Sequence, residues 1–65
     1  MRVEVFSMSR SDRAGTPRPG GSFDVCASTV DSARRAARSR LERAGNSIRS
    51  VSCGDGRIVV YVWRE

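Results

Sequence analysis

Two runs of alternating character, Ser47–Cys53 and Arg57–Trp63, flank Gly54-Asp55-Gly56. Asp-Gly is a strong two-residue hairpin signal, because both central positions of a type I′ turn require positive φ. A turn at Asp55-Gly56 pairs Val51 with Val60, Cys53 with Ile58 and Arg49 with Val62 on one face. The other face then carries Ser52 with Val59, Ser50 with Tyr61 and Ile48 with Trp63. Both faces of the hairpin therefore hold apolar groups. A chain of 65 residues buries only part of its surface and has little material with which to cover two faces.

The rest of the chain supplies one cover. Arg2–Met8 alternates as a strand, with Val3 and Val5 on one side and apolar Phe6 and Met8 on the other. Ser9–Ser22 breaks all periodicity; its Gly and Pro residues and Arg10, Arg13 and Arg18 predict a long, mobile hairpin loop. Ser22–Ala27 reads as a second strand, with Phe23, Val25 and Ala27 on one face. Ser28-Thr29-Val30-Asp31 fits a capping box with Ser28 as the cap, and the helix then runs to about Ala44, stopped by Gly45-Asn46. Its apolar stripe, Val30, Ala33, Ala37, Leu41 and Ala44, is narrow and mostly small, as in a helix lying close on a sheet. The order is ββαββ. The predicted fold is a single α+β domain over residues 1–65, one helix on one face of a four-stranded, mainly antiparallel sheet.

Composition excludes several function classes. Arginine supplies all 12 basic residues against 7 acidic ones, for a net charge of +5, and there is no Lys or His. Two cysteines without histidine fall short of a four-ligand zinc site. The strand reading puts Cys26 and Cys53 on opposite sheet faces, which disfavours a disulfide and suggests small, semi-buried thiols of a cytoplasmic protein. No apolar run approaches a membrane span, and Met1–Phe6 lacks the apolar stretch of a signal peptide. Acid–base catalysis draws on His, Lys, Cys or a tuned carboxylate. The first two are absent, Cys26 has no histidine partner, and each carboxylate is accounted for by a strand surface, loop, cap, turn or terminus. The Gly/Pro loop lacks the Gly-Lys-Ser/Thr of a phosphate-binding loop. The chain is expected to be no enzyme and to use no cofactor.

Two surfaces qualify as interaction sites. The uncovered sheet face is expected to present Val59, Tyr61, Trp63 and Ile48, joined by Phe6 or Met8, as a protein-binding patch for a larger partner or a second copy. The alternative is that the faces are reversed, or that a one-residue bulge buries the aromatics. The helix carries Arg34, Arg35 and Arg38 on one flank and Arg40 and Arg43 on the other. With Arg10, Arg13 and Arg18 of the loop, these planar donors suit phosphate or an acidic protein. The competing reading is a merely solvated face with Asp31–Arg35 and Arg38–Glu42 pairs.

The stretch Phe23-Asp24-Val25-Cys26-Ala27-Ser28 leading into Val30-Asp31-Ser32-Ala33-Arg34, then Ile48-Arg49-Ser50-Val51 and the Gly54-Asp55-Gly56 hairpin, resembles several tiny phage-encoded proteins. Among these are anti-CRISPR proteins with a sheet and one helix. A similar arrangement occurs in a small archaeal ribosomal protein. The resemblance covers roughly Ser22–Trp63, is one of layout, and carries over no functional residue. It implies a non-catalytic phage or mobile-element inhibitor that binds a nucleoprotein machine. The alternatives are a direct, sequence-independent nucleic-acid binder, or a small ribosomal or assembly subunit.

Overall fold

β1 (Arg2–Met8) and β4 (Arg57–Trp63) lie side by side at the centre of a four-stranded sheet. β2 (Arg18–Asp24) and β3 (Ser47–Gly54) form its edges, in the order β2-β1-β4-β3. The structure, a computed structural model, describes residues 1–11 and 15–64. β1 pairs antiparallel with β2, and β4 antiparallel with β3, while the two central strands run parallel. The edges are consequently parallel to each other. A hairpin cannot join parallel strands, so α1 (Val30–Arg43) carries the chain across one face from edge to edge. The fold is α+β with the predicted element order.

The covered face holds the core. Val3 and Val5 of β1, Ile58, Val60 and Val62 of β4, and Val25 pack with Ala33, Ala37 and Leu41 of α1. Val3, Ile58 and Val60 have no exposed surface. Ala33 and Ala37, at 1% and 0% exposure, bring the helix backbone down onto the sheet. α1 sits off-centre, over β3 and then β4. On the far side, Phe23 reaches the core from β2, and the Arg40 guanidinium lies 4.3 Å from its ring centroid. Only the middle of the predicted stripe is buried. Val30 and Ala44 are exposed; Val30 opens the helix beside a shallow depression lined by Cys53, Gly54 and Arg57. Cys26 and Cys53 are free and exposed rather than semi-buried.

Local chemistry sets the boundaries. The helix is capped by Thr29, one residue after the expected Ser28: its Oγ1 accepts from the Ser32 N–H at 3.1 Å. At the other end Asn46 N–H donates to the Leu41 carbonyl and Gly45 N–H to the Glu42 carbonyl, both at 3.0 Å. This is a Schellman stop, and it needs the left-handed φ of 93° that Gly45 adopts. β2 begins at Arg18 rather than Ser22. The loop therefore shortens to residues 9–17, of which 12–14, Arg13 included, lie outside the described residues. Pro19 is tolerated because β2 is an edge, and the pairing shifts register there, between Val5 and Phe6. β2 ends at Asp24; the Val25 N–H still bonds the Met1 carbonyl, but Ala27, expected on the core face, is exposed.

The terminal hairpin follows the predicted register from Gly54–Arg57 to Ser50–Tyr61, with Asp55 and Gly56 at φ of 50° and 74°. Beyond that point it slips. Ile48 pairs with Val62 and Ser47 with Trp63, leaving Arg49 as the extra residue. A bulge inverts the facing of the residues on its far side, so Ile48 packs against the core instead of joining the open face. No helix among the described residues is long and apolar enough to cross a membrane.

Candidate functional site

Because α1 covers one face only, Glu4, Phe6 and Met8 of β1 and Val59, Tyr61 and Trp63 of β4 point the other way. The parallel register sets them in facing pairs: Glu4 with Val59, Phe6 with Tyr61, Met8 with Trp63. The Phe6 and Tyr61 rings stack, with centroids 5.8 Å apart and planes 28° from parallel. Both are half-buried, since each ring shields its neighbour while leaving an outer surface to solvent. Met8 is covered: its Cε lies 3.3 Å from the position a Cβ on Gly15 would take. Two guanidiniums lie over the Trp63 ring, Arg10 at 5.3 Å and Arg49 at 5.6 Å from its centroid.

Charge on this face is polarised along the strands. At the start of β1, Glu4 lies 3.9 Å from Arg2 and 3.5 Å from Arg57, and Asp24 stands opposite Arg2 in the register. Both guanidiniums there share the one Glu4 carboxylate. These pairs are solvent-accessible and contribute little to stability. At the other end, Arg10 and Arg49 lie over Trp63, and among the described residues neither forms an ion pair with a carboxylate.

The helix arginines do not join that cluster. Arg34, Arg35 and Arg38, with Asp31, overhang a groove of about 390 Å³ whose other wall is Ile48–Val51 of β3. Arg38 lies 3.6 Å from Glu42, whereas Asp31 and Arg35 form no ion pair. On the opposite flank, Arg40 covers Phe23, and the Arg43 Nε donates to the Ser39 carbonyl at 3.4 Å. Arg18 is exposed on β2, opposite Ser7. Of the eight arginines singled out in the sequence, the seven described ones thus fall on separate surfaces, and Arg13 lies outside the described residues. The sequence register set Arg49 opposite Val62, whereas Ile48 takes that place and Arg49 lies at the groove wall with its guanidinium 5.6 Å from the Trp63 ring centroid. Only the bulge puts it there, and no local sequence signal marks that bulge.

No family model, curated protein or solved structure matches the chain. The chemistry of the site carries its interpretation.

Proposed function

We propose that the protein is a non-catalytic nucleic-acid-binding module that lays a single strand across its open sheet face. One observation carries this reading: the Arg10 and Arg49 guanidiniums gather at Trp63 beside the stacked Phe6–Tyr61 pair. Unstacked bases bind aromatic rings regardless of sequence, because every base has a π-face, and guanidiniums add cation–π and phosphate contacts. Aromatics on the central strands of a four-stranded sheet are a recurrent way to hold bases splayed from a single strand. A duplex keeps its bases stacked inside and would leave these rings unused. Free, exposed thiols suit a reducing compartment, and we read the place of action as cytoplasmic.

A second reading keeps the same face and changes the partner. Tyr61 and Trp63 are residue types enriched in interface hot spots, so an inhibitor of the anti-CRISPR type would dock them on an acidic protein surface. Titration of a fluorescent oligothymidylate and a duplex of equal length separates the two. The expected result is tighter binding to the single strand, weakened about fivefold to hundredfold by Trp63→Ala or Tyr61→Ala, with the circular dichroism spectrum retained. Unchanged affinity in both variants, or no binding at about 50 mM salt, removes the nucleic-acid reading.

A further inference from the structure

The two edges of the sheet differ. On β2, Pro19 has no N–H and the register breaks beside it, which blunts that edge. β3 carries no proline, and its residues from Ser47 to Gly54 are exposed or half-buried. Among the described residues no strand pairs with its outer side. The register break at Arg49 leaves Ser50–Gly54 as a regular stretch of free edge. The groove beneath Arg34, Arg35 and Arg38 runs along the same strand, with Ile48 and Val51 as its apolar wall.

We infer that the β3 edge and this groove receive an extended acidic segment of a protein partner, added as a fifth strand with its carboxylates beneath Arg34, Arg35 and Arg38. A free edge presents N–H donors and C=O acceptors in alternation, and another peptide backbone satisfies both. A phosphodiester backbone offers acceptors and leaves the carbonyls unpaired. The spacing also agrees. Side chains on one face of a strand recur about every 6.7 Å. Arg34 and Arg38 are separated by about 6 Å along the helix axis. Acidic residues at alternate positions of the added strand therefore meet successive guanidiniums. A second copy of this chain fits poorly, because pairing β3 with its own equivalent would bring two arginine stripes together. The groove shares Arg49 with the open face but none of its aromatic side chains, so Trp63→Ala and Arg35→Glu tell a failure of this inference from a failure of the nucleic-acid reading.

The test uses a short fluorescein-labelled peptide with Glu at alternate positions and Val and Thr between them. Two companions accompany it: one N-methylated at alternate amides, the other with Gln for each Glu. The expected result is binding of the parent peptide and at least about tenfold weaker binding of both companions, the loss of one good backbone or charged contact. Arg35→Glu weakens the parent peptide by a similar factor, Trp63→Ala leaves it unchanged, and amide shifts fall on Ser50–Cys53. Failure of the parent peptide to bind overturns the inference. Equal binding of the N-methylated peptide overturns strand addition. Displacement of the peptide by oligothymidylate assigns the groove to nucleic acid, and dimerisation through β3 on light scattering assigns the edge to a second copy; either outcome is fatal to the proposal.

Discussion

Salt dependence separates a strand on the open face from one on the helix, because the two surfaces offer different numbers of guanidiniums. On the open face Arg2 and Arg57 both pair with Glu4, and the guanidiniums beside the aromatic rings are those of Arg10 and Arg49. Two neutralised phosphates give a log–log slope of about −1.4 for a single strand, or about sevenfold weaker binding between about 50 and 200 mM salt. A strand that spanned both helix flanks and drew Arg38 from Glu42, so that Arg34, Arg35, Arg38, Arg40 and Arg43 all met phosphate, gives a slope of about −3.5 and a loss of about 130-fold over the same range. Fluorescence anisotropy with oligothymidylate at four or more salt concentrations measures the slope directly. Arg49→Gln is expected to reduce it to about −0.7, while Arg35→Gln leaves it unchanged. The reasoning is refuted by a loss above a hundredfold that Arg35→Gln relieves and Arg49→Gln does not.

Two further outcomes test how the sheet is held in place. Ala37 has no exposed surface at the helix–sheet contact, so Ala37→Leu is expected to overpack it by about 1–3 kcal/mol. In so small a domain that lowers the melting temperature by roughly 5–20 °C, read by circular dichroism, and a neutral result contradicts the close approach. Thr29→Ala is expected to cost about 1 kcal/mol, whereas Ser28→Ala has little effect; the reverse order in thermal melts places the cap at Ser28 instead.

Local rules account for the part of the fold that was legible in the chain. Asp55-Gly56 dictated a turn because few residues accept positive φ, and pairing outward from it follows automatically as far as Ser50–Tyr61. Periodicity alone assigned Ala33, Ala37 and Leu41 to the buried side of the helix and split its arginines between two flanks. Counting says that one short helix leaves one side of four strands open, but the sequence left reversed facing as an alternative, and it is the structure that puts Tyr61 and Trp63 on the open side.

Tertiary structure decided the rest. The order β2-β1-β4-β3, which sets Phe6 beside Tyr61, depends on a parallel contact between the first and last strands that no neighbouring residues encode. The same is true of Arg49. Its position follows from a bulge that carries Ile48 into the core, an apolar gain collected from Val62 and the helix rather than from anything adjacent in the chain. Turns, caps and stripes are short-range and can be read in sequence; pairing partners and bulges are chosen by the surface that the whole sheet must bury, and the chemistry around Trp63 belongs to that second kind.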